Sequence, residues 1–207
     1  MRKGLLAILI AVMMVPSICI AQKAGSFIAG FDIGMTSAIG DFRDDTTLNA
    51  TSGINLGGEI RYTFFNNFSL GPFIKYQRFG SSEQNTAGNI SYNLNQYGCI
   101  ARFNMFDIRN GRAYILGGGG IFRPTEHTWA PDYIDDKPFE SSTFLAGGIG
   151  ICTNPFSTTI YEFELRYSTG DADRQASDGG TTHNFDFISF AFKISFNSKG
   201  IQPPPRY

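Results

Sequence analysis

Phe187-Ile188-Ser189-Phe190-Ala191-Phe192-Lys193-Ile194-Ser195-Phe196 decides the fold. Ile188, Phe190, Phe192, Ile194 and Phe196 share one face of an extended chain, and Phe187, Ser189, Ala191, Lys193 and Ser195 share the other. A period of two is the signature of a strand, because successive side chains point to opposite sides of a sheet. Six earlier segments repeat the pattern, and a seventh is interrupted by glycines. Residues 27–35 oppose Phe27, Ala29, Phe31, Ile33 and Met35 to Ile28, Gly30, Asp32 and Gly34. Residues 54–64 oppose Ile54, Leu56, Ile60, Tyr62 and Phe64 to Asn55, Glu59, Arg61 and Thr63. Residues 68–77 set Phe68, Leu70, Pro72, Ile74 and Tyr76 against Ser69, Phe73, Lys75 and Gln77. Residues 95–106 set Tyr97, Cys99, Ala101, Phe103 and Met105 against Gln96, Ile100, Arg102 and Asn104. Upstream, residues 90–94 run in the reverse phase, which predicts a bulge. Residues 143–153 and 161–168 alternate in the same way, the latter placing Glu162, Glu164 and Arg166 opposite Tyr161, Phe163, Leu165 and Tyr167. In residues 113–122 the run Gly117-Gly118-Gly119-Gly120 leaves both faces unassigned.

The connections alternate in length. Phe65-Asn66-Asn67, residues 107–111 and residues 154–157 are short, whereas residues 39–52, 80–89, 124–141 and 170–183 are long and polar. Eight strands joined in this way form an antiparallel up-and-down barrel, with both chain ends on the side of the short turns. The segments of about 9 to 13 residues suit a tilted bilayer crossing, which needs about 9–11. Soluble strands average nearer 5–6. Phe64, Phe65, Phe68, Phe106, Phe156, Tyr161 and Phe196 gather at the short-turn end, as a membrane barrel's interfacial girdle does. The polar face carries the acids Asp32, Glu59, Glu162 and Glu164 and the bases Arg61, Lys75, Arg102, Arg166 and Lys193. Near-cancelling charge is what a narrow lumen requires, because an unpaired buried charge is costly. Glycine on both faces eases the curvature of a small closed barrel.

Composition fits two unlike faces. Of 207 residues 17% are charged, against about 25% in an average domain, and Gly and Phe are abundant at 24 and 20. A disordered acidic chain, a helical membrane bundle and a basic nucleic-acid binder are excluded. Arg2 and Lys3 precede an apolar run over residues 5–15, and Pro16, Ser17 and the small-residue site Cys19-Ile20-Ala21 follow. This predicts a secretory signal peptide over residues 1–21. Ile18 stands where a lipobox needs a small residue, which disfavours Cys19 as a lipid anchor. Residues 22–196 form the barrel and residues 197–207 a tail containing Pro203-Pro204-Pro205. Cleavage moves the formal charge from −1 to −3. Cys99 and Cys152 fall two strands apart on opposite faces, too far to bridge.

The signal peptide, the eight amphipathic strands and the last strand from Phe190 to Phe196 together resemble the small bacterial outer-membrane β-barrels of the OmpA/OmpX-like kind, a porin-like outer-membrane β-barrel domain. The resemblance implies an all-β, eight-stranded antiparallel up-and-down transmembrane barrel in the bacterial outer membrane. It implies contact with outer-membrane lipids and lipopolysaccharide, and a terminal aromatic read by the outer-membrane assembly machinery. The eleven residues after Phe196 depart from that pattern, because such barrels end on the aromatic. Some barrels of this kind modify lipid A through a His paired with Ser or a carboxylate. His127 and His183 are the only histidines; both fall in long connections and neither has a clear partner there, although Ser177 and Asp178 lie near His183.

An eight-stranded interior is just wide enough for its own side chains, so the nine lumen charges predict a packed ion-pair network and not an ion path. Asp171, Asp173 and Asp178-Gly179 lack the spacing of a calcium loop. The long connections hold twelve acids and three bases, a net of −9. They also hold Trp129, the only Trp, which suits either an extracellular ligand or the outer leaflet. The sequence therefore reads as a monomeric, non-enzymatic barrel without a cofactor, with acidic extracellular connections serving surface interaction or envelope integrity and no nucleic-acid partner. The alternatives are a lipid A-modifying enzyme, a soluble lipocalin-like carrier and an accessory barrel of a secretion system.

Overall fold

The computed structural model describes residues 25–44, 48–65, 67–85, 88–108, 111–130, 133–153, 158–174 and 181–198. The predicted signal peptide, the turn at residues 154–157, Ser177, Asp178 and the tail beyond residue 198 lie outside the described residues. The chain runs through β1 (Phe27–Ile39), a helical turn α1 (Asp41–Asp44), β2 (Ala50–Phe65), β3 (Phe68–Asn85), β4 (Gly88–Ile108), β5 (Gly111–Ala130), β6 (Tyr133–Pro138), β7 (Ser142–Thr153), β8 (Thr159–Asp173), β9 (Thr182–Asn184) and β10 (Asp186–Asn197). Eight of the strands close a ring. Each wall strand pairs antiparallel with its neighbours, β5 pairs with β7, and β10 pairs with both β8 and β1. The closing seam is continuous from Ile28 opposite Asn197 to Ile39 opposite Asp186, so the wall has no free edge there.

The alternation read in the sequence is the alternation of the wall. Phe31, Ile33, Met35, Ile54, Ile74, Leu145, Ile149 and Phe190 point outward and are more than half exposed, whereas Asp32, Glu59, Lys75, Glu162 and Lys193 point inward and are buried. The sheet is thus inverted relative to a soluble barrel, with apolar side chains outside and polar ones within.

Two expectations need correction, and the structure adds two features that the sequence left open. The reverse phase over residues 90–94 is not a bulge. The β4–β5 register is unbroken from Asn89 to Asn104, and Tyr92 and Leu94 point inward in phase with Gln96. What changes there is the interior, which becomes apolar; the irregularity in this hairpin lies on β3, between Gly80 and Gln84. Second, much of the long connections is strand. β4 and β5 reach 21 and 20 residues, about twice a bilayer crossing, and β6 pairs with the end of β5 to make a hairpin above the wall. His127 and His183 consequently sit on β5 and β9. Third, β5 does have two faces. Arg112, Tyr114, Leu116, Phe122, Pro124 and Glu126 point inward, and Ile121, Arg123, His127 and Trp129 outward. Finally, Phe also fills the interior, where Phe42, Phe73, Phe79, Phe122, Phe139, Phe144, Phe185 and Phe187 are buried. Cys99 is exposed on the outer face of β4, Cys152 is buried on β7, and both are free thiols.

Candidate functional site in the lumen and at its mouth

The lumen is filled in two layers. The layer toward the short turns is ionic. Residues two apart on a strand share a face, so Glu59 and Arg61 on β2, and Glu162, Glu164 and Arg166 on β8, all point inward. Glu162 accepts from Arg61 Nη2 at 3.0 Å and, through its second oxygen, from Arg102 Nη1 at 2.6 Å and the Tyr114 hydroxyl at 3.3 Å. Lys193 donates to Glu59 at 2.8 Å and to Glu164 at 3.1 Å. Arg61 also pairs with Glu59 at 2.5 Å, and Arg166 with Glu164 at 2.5 Å. Lys75 lies 3.1 Å from Asp32. All nine are buried: Glu59, Arg61, Arg102, Glu162, Glu164, Arg166 and Lys193 join one network, and Lys75 and Asp32 form a separate pair beside it. Several links run across the lumen: Arg61 on β2 and Arg102 on β4 both reach β8. Arg102 also lies over the Tyr114 ring, 3.5 Å from its centroid, where the aromatic face attracts a cation.

The sequence reading missed Arg112 and Tyr114 because the glycine run hid the phase of β5. Arg112 is fully buried and donates to Asp107 at 2.7 Å at the short-turn rim. The signal was present in Arg112-x-Tyr114, whose two-residue spacing carries the inward phase through the glycines to Phe122.

The second layer, toward the long connections, is aromatic. Gly40 adopts φ +54°, a conformation open to glycine at little cost, and turns the chain from β1 into α1. Arg43 and Asp44 donate backbone hydrogen bonds to the Gly40 carbonyl at 3.0 and 2.9 Å. Phe42 thereby enters the mouth and meets Phe185, Phe79 and Tyr92 with ring centroids 4.9, 5.0 and 5.8 Å apart. Phe185 also meets Phe122 and Phe139, and Phe79 meets Phe187. Glu126 pairs with Arg174 above this plug, and Arg174 lies over the Phe139 ring.

The two histidines are on opposite faces of the wall. His183 is buried, edge-on to Phe139 at 5.9 Å, whereas His127 faces outward and pairs with Asp136 across the β5–β6 hairpin. Asp171 accepts from Asn184 at 3.0 Å and Asp173 from Thr182 at 2.5 Å. Among the described residues no cluster of three or more His, Cys, Asp or Glu has the arrangement of a metal site.

Closed ring, apolar outer band and polar interior define the class: a small eight-stranded transmembrane β-barrel of the outer-membrane type. No protein-family model and no curated protein sequence matches the chain. Solved structures do. The Neisserial surface protein NspA aligns with a TM-score of 0.59 at 14% identity, over 84% of this chain and 97% of its own. OprG of Pseudomonas aeruginosa gives a TM-score of 0.53 at 13% identity, over 86% and 98%. Ail, the attachment invasion locus protein of Yersinia pestis, in complex with the heparin analogue sucrose octasulfate, gives 0.51 at 13% identity, over 84% and 99%. The chain shares the fold of these barrels.

Proposed function

We propose that this chain is a sealed, monomeric, non-enzymatic outer-membrane barrel whose long hairpins present an acidic extracellular surface. A signal peptide at residues 1–21 exports it, residues 22–196 form the barrel, and residues 197–207 are a periplasmic tail. The outer-membrane assembly machinery inserts it and outer-membrane lipids surround it. The observation that carries this reading is the filled interior. The lumen-facing Arg61, Arg166, Lys75 and Lys193, and the plug residues Phe42, Phe79, Phe122, Phe185 and Phe187, are all less than 2% exposed. Side chains lining an aqueous pore would be wet. The nine lumen charges act as a structural lattice holding strands across the interior.

The acidic mouth suits cationic partners or divalent ions better than a polyanion such as the one bound to Ail, because like charges repel at the surface. Lipid A chemistry finds little support. His127 already engages Asp136 on the outer face, and His183 is packed against a ring inside, so the two do not share a site.

Planar-bilayer recording of the refolded protein tests the seal. A silent protein supports the reading, and stable single-channel steps would contradict it. Lipid A mass in cells expressing wild type or the His127→Ala/His183→Ala variant tests the absence of catalysis, with identical spectra expected.

A further inference from the structure

The outward face changes character abruptly along β3, β4 and β5. Ile74, Tyr97 and Ile121 form one row of the apolar band. The next row is Tyr76, Asn95 and Arg123, and the one after it is Arg78, Asn93 and Thr125. The Tyr76 hydroxyl donates to Asn93 Oδ1 at 2.9 Å, which marks this level as the band's upper border. Above it, a cavity of about 470 Å³ opens on the outer face, lined by Arg78, Gly80, Asn89, Ser91, His127 and Trp129. The indole is 53% exposed. Arg78 and Arg123 are both exposed and have no ion pair among the described residues.

The pattern is confined to one sector. At the corresponding border on β8–β10 the outward charges are the acids Asp171 and Asp186. Two unpaired guanidinium groups thus sit on the wall sector that also carries the exposed indole. His127, which lines this cavity, pairs with Asp136 of β6.

We propose that this border cavity holds the phosphorylated sugar headgroup of an outer-leaflet lipid, with the acyl chains lying on the apolar rows beneath. Guanidinium groups match phosphate by charge and by their fork of donors. The indole face offers a platform for the sugar ring, and Ser91 and Asn89 offer hydroxyl and amide partners. Position selects a lipid over a soluble phosphosugar: the arginines stand on the first polar rows above the band, where a headgroup phosphate lies when its chains are in the bilayer. The inference rests on the membrane reading above and specifies one ligand class and one side of the barrel.

Trp129 is the sole Trp, so its emission reports this site directly. The refolded full-length mature protein, in zwitterionic detergent, would be titrated with bisphosphorylated diglucosamine lipid, with the same lipid dephosphorylated, and with soluble glucosamine 1-phosphate. The expected result is a saturable shift with the phosphorylated lipid. Affinity should be about tenfold weaker for Arg78→Gln and for the dephosphorylated lipid, the share of one charge-assisted hydrogen bond. The soluble sugar phosphate should not saturate over the same range. Unchanged Trp129 emission, equal affinities for wild type and Arg78→Gln, or equal response to the soluble phosphate would overturn the proposal. Heat-modifiable gel mobility, followed in parallel, keeps the two readings apart. A chain that never gives the compact band contradicts the barrel itself, whereas a compact band with silent Trp129 contradicts only the headgroup site.

Discussion

Glu162 serves three partners from full burial, so its loss should be among the most damaging single changes in the wall. Glu162→Gln leaves Arg61 and Arg102 without their shared counter-charge, and breaking a buried ion pair on one side costs about 3–5 kcal/mol. Urea titration of the heat-modifiable band should show that loss; a shift below about 1 kcal/mol would mean that the lattice does not hold the strands. The two faces of β10 make a second contrast. Phe192 stands on the outer face, against Phe163 at 5.2 Å between centroids, and Phe192→Arg should cost about 2–4 kcal/mol if it lies near the midplane. Ser195 is fully buried, and its oxygen would lie 2.5 Å from a Cβ placed on Gly30. Ser195→Arg therefore overpacks the lumen, at about 1–3 kcal/mol or more. These residues were legible in the sequence because a charged or apolar side chain fixes the phase of its strand. Arg112 and Tyr114 were not, since the four following glycines carry no face of their own.

At the scale of the element, the glycines of the wall are not alike. A Cβ at Gly34 would lie 2.7 Å from the Ala191 Cα across the β1–β10 seam and even closer to the Phe190 carbonyl, whereas one at Gly117 would find its nearest neighbour at 3.9 Å. Gly34→Ala should therefore weaken barrel closure by about 1–3 kcal/mol, and Gly117→Ala should be close to neutral. Equal midpoints for the two variants would contradict the register of the seam. The β5–β6 hairpin is the opposite case, because among the described residues β6 pairs with β5 alone. Deleting residues 131–136 should leave the compact gel band intact, since the tip adds nothing to the closed wall. The wall strands were legible because alternation is strongest where one side meets lipid. Their extensions were not. Beyond the bilayer neither face needs to be greasy, the period fades, and residues 124–141 read as a polar connection although Thr125 to Ala130 continues β5 and pairs with β6. The aromatic plug was hidden for a related reason: Tyr92 and Leu94 point inward but are apolar, so they look like a change of phase when they are a change of filling.

The whole molecule is a sheet rolled with its apolar side out, its lumen filled by ions at one end and by rings at the other. The two cysteines of the described barrel can test that inversion. Cys99 lies on the outer face of β4 between Tyr97 and Ala101, and Cys152 is buried inside. A nitroxide on Cys99, in residues 22–207 carrying Cys152→Ser and refolded into lipid vesicles, can be probed by power-saturation electron paramagnetic resonance with two relaxing agents. Oxygen concentrates in hydrocarbon, and a neutral nickel chelate stays in water. Oxygen should relax the Cys99 label far more strongly than the chelate does. A label relaxed more by the chelate than by oxygen would place this face in water and contradict the inverted barrel.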